Sequence, residues 1–301
     1  MLQELYEIYQ RNFPFIMRAK QNVLQILSNE QNMVIEQRDE KNKLIGVSVM
    51  NQNAVLLFCV DEEHRNKGIG TRLLKKSEDV MKANGYHKVV LGNGYDYIMP
   101  GVPTAKRYCG AENEELCQGV NEAADNFFTR RGYVHSWECN CFDMGLSLTQ
   151  FNKNAHHVGD AIDGILYRWA ERDDLDGICA CTDDAFRDFT KFFLDENLYA
   201  VNQDAKVLVA SCDNEIVGTL IVGAKEERNG RRCGFPACAA VKRAWQGKHI
   251  AVNLVTIGTG YLKDIGVGEV CLGYTYTGLD HVYGYAGYKI SVYYMMGEKV
   301  L

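Results

Sequence analysis

The sequence predicts a mixed α/β fold, with helices and strands interleaved, built twice in tandem. Three observations predict it. A series of short sequence matches recurs in order along the chain, the mark of an internal repeat. Within each copy, short apolar and alternating runs suited to strands are interleaved with stretches of helical apolar spacing. The chain also has 301 residues, 47% of them hydrophobic and 24% charged, when a single domain usually takes ~100–200 residues.

That composition excludes several classes. The net charge is −6, so no basic field exists to hold nucleic acid or an anionic membrane. No apolar run approaches the ~18 residues that a membrane-spanning helix needs. The opening MLQELYEIYQRNF mixes charge with apolar residues and does not read as a signal peptide. Eleven cysteines are scattered without a CxxC pair, so neither a zinc knuckle nor a redox dithiol is expected. His135, Cys139 and Cys141 form the nearest thing to a metal cluster, but they fall in a strand-like stretch where Cys139 and Cys141 share one face. The expectation is a cytoplasmic, reduced chain without a metal.

The repeat is specific in its details. NKLIGVSV from Asn42 matches NEIVGTLI from Asn214, each with a glycine (Gly46, Gly218) opening an apolar run. CVDEEHRNKGIG, Cys59–Gly70, matches AVKRAWQGKHIA, Ala240–Ala251, at an offset of 181 that also carries Gly85 to Gly266 and Leu91-Gly92 to Leu272-Gly273. Gly132-Tyr133 matches Gly287-Tyr288 at an offset of 155, so the first copy holds about 26 extra residues after Gly92. A single αβ domain whose glycines happen to recur is the competing reading. The division expected is 1–150 and 151–301, with Thr149–Asp163, polar and holding Gly159, as the linker.

In the first copy, helical spacing runs over Leu5–Leu27 and a short strand over Asn32–Gln37. Leu44–Met50 and Ala54–Val60 read as strands joined by a turn at Asn51-Gln52-Asn53. Gly70–Asn84 carries Leu73, Leu74, Val80 and Met81 on one side, a helix stopped by Gly85. A strand at Lys88–Leu91, a helix at Glu122–Arg131 and a long strand at Tyr133–Leu146 complete the copy. The second copy reads as strand Gly164–Trp169, helix Asp174–Phe186, strands Lys206–Ser211, Ile216–Val222 and Cys238–Val241, and helix Ile250–Ile265.

The chemistry concentrates after the strand ending Phe58-Cys59-Val60. There Arg65-Asn66-Lys67-Gly68-Ile69-Gly70-Thr71 leads into a helix. Such a turn aims several N–H groups at one point, where the helix dipole also favours an anion. Gly68 and Gly70 let the backbone approach closely, and Arg65 and Lys67 add positive charge. A Walker loop is excluded because GxxxxGK[ST] is absent, and a dinucleotide fingerprint because Gly70 is followed by Thr71-Arg72-Leu73 without a third glycine.

Arg65-x-x-Gly68-x-Gly70 after this strand resembles the acetyl-CoA motif of the GCN5-related N-acetyltransferase (GNAT) superfamily. Asn121-x-x-Ala124-x-x-x-Phe128-x-x-x-Gly132-Tyr133 is similar to its second cofactor motif. The resemblance implies two GNAT domains with mostly antiparallel central sheets, the second with a degenerate loop. It implies that the pantetheine arm bonds the strand backbone at Phe58, Cys59 and Val60. It places the pyrophosphate on Arg65, Asn66, Lys67, Gly68, Ile69, Gly70 and Thr71, with Asn121 and Phe128 flanking the arm. The activity implied is direct acetyl transfer from acetyl-CoA to an amine of a small molecule. A non-catalytic acyl-CoA binding protein and a protein-modifying acetyltransferase are the alternatives.

Departures from the family pattern define the open questions. The second copy has Gln246-x-x-His249-x-Ala251, with an imidazole where the first glycine stands. Where the family often keeps an acidic tyrosine, the first copy has Phe128 and the second Tyr283. Ala54–Val60 carries no carboxylate to act as base, and Cys59 reads as a buried strand cysteine with no paired histidine nearby in sequence. The insertion Gly94–Pro103 is rich in aromatic residues and proline, which makes Tyr97 and Tyr95 the candidate acids. A CoA thiolate, with a thiol pKa of ~8.5, needs only a weak acid or a water.

Overall fold

A computed structural model of the chain describes every residue except 17, 93–97, 105–121, 137–140, 152–160, 163, 200–204, 227–231 and 277. Two compact units emerge. The first is Met1–Asp143 together with Ile290–Leu301, and the second is Met144–Lys289. The boundary expected after 150 falls a few residues late, and the last twelve residues belong to the first unit rather than the second. Among the described residues no helix is long and apolar enough to cross a membrane.

The first unit runs α1 (Leu2–Asn12), α2 (Lys20–Leu27), β1 (Met33–Arg38), β2 (Leu44–Asn51), β3 (Ala54–Val60), α3 (Ile69–Ala83), β4 (Lys88–Leu91), β5 (Val102–Thr104), α4 (Glu122–Thr129) and β6 (Val134–His135). The single helix expected over Leu5–Leu27 is two, parted around Pro14, whose ring cannot continue a helix. The long strand expected over Tyr133–Leu146 is also divided, into β6 and β7 (Cys141–Ser147). The second unit holds β8 (Ala161–Ile162), β9 (Ile165–Trp169), α5 (Leu175–Ala185), α6 (Thr190–Phe193), β10 (Ala205–Cys212), β11 (Glu215–Glu226), β12 (Arg232–Val241), α7 (Ile250–Asp264), β13 (Glu269–Tyr276) and α8 (Asp280–Gly284). The chain ends with β14 (Lys289–Met295) and β15 (Gly297–Val300).

The sheet of the first unit has the order β1-β2-β3-β4-β15-β6. Its pairs are antiparallel except β3 with β4, which run parallel. β15 lies between β4 and β6, pairing Gly297 with Leu91 and Val300 with Lys88. Its neighbour Met295 is fully buried in the core formed with Met50, Val55, Leu74, Met81, Val89, Phe128 and Tyr133. In the second unit, β8 to β13 follow one another as β8-β9-β10-β11-β12-β13.

The repeat read from the sequence is present in atomic detail. A Cβ built on Gly46 would lie 3.1 Å from Leu73 and 3.3 Å from Ile69 on α3. One on Gly218 would lie 2.9 Å from Ile250 and 3.1 Å from Leu254, the corresponding residues of α7. The missing side chain lets each helix settle on its strand. Nearby, buried Ser77 donates to Ser48 at 2.8 Å. At the matching places of the second unit stand Gly258 and Leu220, and a Cβ on Gly258 would lie 3.2 Å from Leu220 and 2.7 Å from Val222. A hydroxyl pair in one unit is replaced by a large-and-small pair in the other.

This exchange generates a test in the first unit. Ser48→Leu alone overpacks against Ser77, at a cost of about 1–3 kcal/mol. Ser77→Gly alone strands a buried hydroxyl and puts glycine inside a helix, costing about 2–4 kcal/mol in all. The double variant, measured by urea unfolding, should lose at least about 1 kcal/mol less than the sum of the two. Strict additivity would show that the positions are not packed as a pair.

Candidate active site

β3 and β4 pair only at Ala54–Val90 and Val55–Leu91. Beyond that point they diverge, and a cleft of about 900 Å³ opens in the first unit. The β2–β3 register determines what β3 shows to it. The Asp61 N–H bonds to the Ile45 carbonyl at 2.8 Å, and Cys59 lies opposite Val47, Phe58 opposite Ser48. Antiparallel strands bond alternate residues, so Leu57 and Cys59 direct their backbone groups to β2. Phe58 and Val60 direct theirs to the open edge, and both line the cleft.

Of that edge, the Val60 carbonyl is already used. Arg65 Nε donates to it at 2.9 Å, and Arg65 Nη2 donates to Asn12 Oδ1 at 3.1 Å. Asn12 Nδ2 in turn donates to Asp61 at 2.8 Å, and Arg11 reaches the other Asp61 oxygen at 3.0 Å. The end of α1, the end of β3 and the following turn are thus tied into one polar cluster. Arg65, expected to add charge to an anion site, lines the cleft and also fastens the loop.

After this clasp the chain takes a left-handed residue at Asn66 (φ 61°), leaves it at Lys67, and takes another at Gly68 (φ 74°), which caps α3. Alternation of this kind curls successive N–H groups around a concave surface. The N–H groups of Ile69, Gly70 and Thr71 follow in the first turn of α3, where no carbonyl lies four residues back within the helix. Behind them, Arg131 stacks at 3.8 Å over the Phe127 ring and donates to Thr71 Oγ1 at 2.7 Å and to the Phe127 carbonyl at 2.7 Å. Gly70 has room only because it lacks a side chain, since a Cβ there would lie 3.3 Å from Phe127.

The loop of the second unit is the same device. Gln246 Nε2 donates to the Val241 carbonyl at 3.1 Å, in the place of Arg65 and Val60. Gly247 (φ 78°) and His249 (φ 58°) repeat the left-handed pair, with His249 capping α7. Gly132 and Gly287 likewise turn left-handed before Tyr133 and Tyr288, whose N–H groups each bond at 3.2 Å to the carbonyls of Phe128 and Tyr283.

Of the predicted site residues, the structure brings Phe58, Cys59, Val60, Arg65, Asn66, Gly68, Gly70, Thr71 and Phe128 to the cleft lining. Ile69 is buried under α3 and Lys67 lies on the exposed loop. Phe128 is only 3% exposed and packs edge-on to Phe58, Phe127 and Tyr133. The ring beside the loop is Phe127, which the motif spacing did not single out. Cys59 is buried, and burial beside Asp61 pushes its thiol well above the usual range, consistent with a packing residue. Tyr283 is buried too, and burial raises its hydroxyl. Asn121, Tyr95 and Tyr97 lie outside the described residues, as does Cys139. Among the described residues no three His, Cys, Asp or Glu side chains converge to hold a metal.

If Arg65 is a fastener, its replacement by the residue of the second copy should be mild. Arg65→Gln should keep the bond to Val60 and lower the stability of the chain by under about 1 kcal/mol. Arg65→Ala removes that bond and the one to Asn12, and should cost about 1–3 kcal/mol. Urea unfolding of the two variants distinguishes them; equal losses would show that the clasp does not matter.

Comparison with known proteins agrees with this geometry. Residues 2–98 match the Acetyltransferase (GNAT) family. No curated protein matches the chain. Among solved structures, the GCN5-related glucosamine N-acetyltransferase region of a fungal multi-domain GH3 β-N-acetylglucosaminidase superposes with a TM-score of 0.71 at 18% identity, covering 99% of this chain but only 36% of that one. A tandem GNAT protein from the clavulanic acid biosynthesis pathway gives 0.68 at 12% identity, covering 99% and 94%. A GCN5-related N-acetyltransferase from Sphaerobacter thermophilus gives 0.67 at 17%, covering 99% and 91%. These likenesses establish the fold over the whole length.

Proposed function

With residues 2–98 forming an acetyltransferase (GNAT) family domain in a chain of tandem GNAT fold, we propose that the first unit binds acetyl-CoA and passes its acetyl group directly to the amine of a small molecule. The observation that carries this reading is the meeting of two features in one cleft: the open edge of β3 and the concave run of N–H groups from Asn66 to Thr71. The concave run suits a pyrophosphate, with the α3 dipole adding to the attraction. The pantetheine arm would lie along Phe58 and Val60, and their N–H groups would polarise the thioester carbonyl as an oxyanion site.

Transfer then needs little from acid or base. The neutral amine, its ammonium proton already lost to water, attacks the carbonyl carbon. The C–S bond breaks, CoA leaves as a thiolate, and the second proton of the nitrogen passes to water as the amide forms. Because the parent thiol has a pKa of ~8.5, a weak donor suffices to protonate it. Phe128 cannot donate. Tyr97 and Tyr95 are proposed as donors, because Met99, Gly101, Val102 and Pro103, the following residues of the same insertion, line the cleft. The lack of a carboxylate on β3 and the buried ring of Phe128 favour a second reading, an acyl-CoA binding protein without turnover.

Calorimetry and thiol release separate these readings. Gly68→Val puts a branched side chain where φ is 74° and should weaken acetyl-CoA binding at least about tenfold. The same measurement on Gln246→Ala should show no change. With a panel of amines, release of free CoA thiol is expected, and Tyr97→Phe should lower kcat by about 10²-fold or more with acetyl-CoA affinity unchanged. Binding without thiol release from any amine would favour the acyl-CoA binding protein without turnover.

A further inference from the structure

The repeat separates two tasks that Arg65 performs at once. In the second unit Gln246 holds the corresponding place, and its side chain bonds the Val241 carbonyl and nothing else among the described residues. That single bond accompanies the left-handed course at Gly247 and His249. In the first unit the bond from Arg65 Nε to the Val60 carbonyl, at 2.9 Å, is its counterpart. A guanidinium has further donors, and Nη2 sends one to Asn12 Oδ1 at 3.1 Å. The loop takes its shape in the second unit without such a bond, so the consequence of this one lies at Asn12.

Asn12 is the last residue of α1 and lines the cleft. Its amide is held from three sides. Nδ2 donates to the Ile8 carbonyl at 3.0 Å and to Asp61 Oδ1 at 2.8 Å, while Oδ1 accepts from Arg65. With both N–H groups and the oxygen engaged, the amide has little freedom to turn. Phe13 follows directly, its N–H bonded to the Tyr9 carbonyl at 2.9 Å where α1 ends. The Phe15 ring lies edge-on to that of Phe13 at 6.3 Å. The N–H of buried Ile16 closes the turn on the Phe13 carbonyl at 3.2 Å. Phe13 and Phe15 both line the cleft. One side chain therefore joins the loop before α3 to the aromatic segment after α1.

We propose that Asn12 is a positioning residue, through which a filled loop fixes Phe13 and Phe15. This inference rests on the acetyl-CoA reading above. A pyrophosphate held on the N–H groups from Asn66 to Thr71 removes loop conformers that the free chain visits. Arg65 immediately precedes that run and loses freedom with it. Its bond to Asn12 carries the restriction to the end of α1 and so to the two rings that follow. The amine then meets a cleft whose aromatic segment has been set by the bound cofactor, an arrangement that favours loading of acetyl-CoA first. By linkage, whatever steadies Phe13 and Phe15 in turn tightens the hold on the cofactor.

Amide hydrogen exchange on the full chain, with and without saturating CoA, tests this. In the wild type, CoA should slow exchange in peptides covering residues 65–71 and in those covering 13–19, by about threefold or more in each. Two variants break the link from opposite sides. Arg65→Gln, the residue of the second unit, keeps the bond to Val60 and gives up the one to Asn12; Asn12→Ala removes the acceptor. In both, CoA should still slow residues 65–71 while its effect on 13–19 largely disappears. A merely structural role would raise exchange over 13–19 with and without CoA alike and leave the CoA-induced change intact, which overturns the proposal. So does a wild-type chain in which CoA slows 65–71 but not 13–19. CoA that gives no calorimetric binding and slows neither segment overturns the acetyl-CoA reading itself, and this inference with it.

Discussion

The bond from the Arg65 side chain to the Val60 carbonyl is the constraint on which the loop before α3 depends. Val60 is the last residue of β3, and its carbonyl points away from β2, so no strand satisfies it. Arg65 supplies a donor five residues on, closing a tight ring of chain that contains the short turn at Glu62–His64. With that ring closed, the direction in which the chain enters Asn66 is fixed, and the left-handed steps at Asn66 and Gly68 follow. Asn12 and Asp61 attach the same ring to α1. The polar cluster therefore connects three elements in addition to their apolar packing.

The second unit serves as an internal control for this account. There the donor is Gln246 rather than Arg65, and no net charge is carried, yet the backbone repeats. What the loop requires at that position is a donor of the right reach; the charge of Arg65 is not needed for the shape. His249 shows the reverse case. A non-glycine residue at φ 58° is uncommon and costs about 1 kcal/mol, so the shape is retained at some expense. Elsewhere the two units solve one contact in two ways. Tyr133 meets Glu78 at 3.2 Å, whereas Tyr288 meets Thr259 at 2.9 Å, each pairing a buried hydroxyl from the matching turn of helix.

Much of this was legible in the sequence because it is local. The apolar spacing and Gly85 set α3 within a residue of its expected ends, and the loop announced itself through Arg65, Gly68 and Gly70. The glycines at 46 and 218 were visible as matches, although not as the contact points of α3 and α7. The return of Gly297–Val300 to the first sheet was not legible, because strand pairing over more than two hundred residues leaves no periodic trace. Nor was the cluster of Arg11, Asn12 and Asp61, which looks in sequence like ordinary surface charge at a helix end. Phe127 and Phe128 are adjacent, and only the fold determines that Phe128 turns into the core while Phe127 lies against Gly70.

The two aromatic residues at the matching positions, Phe128 and Tyr283, share one packing role. The residue that begins the last turn before Gly132 or Gly287 must fill the space over Tyr133 or Tyr288, whose rings lie 5.4 Å from Phe128 and 5.8 Å from Tyr283. Packing selects a ring at both places, and the hydroxyl of Tyr283 adds nothing to that contact. Burial also raises its pKa, which makes it a poorer donor than an exposed phenol. An acid at this place needs a hydroxyl, and Phe128, whose ring edges the cleft of the first unit while packing into its core, has none. In the transfer proposed for the first unit, the donor comes from elsewhere in the lining or from water, and a CoA thiolate asks little of an acid.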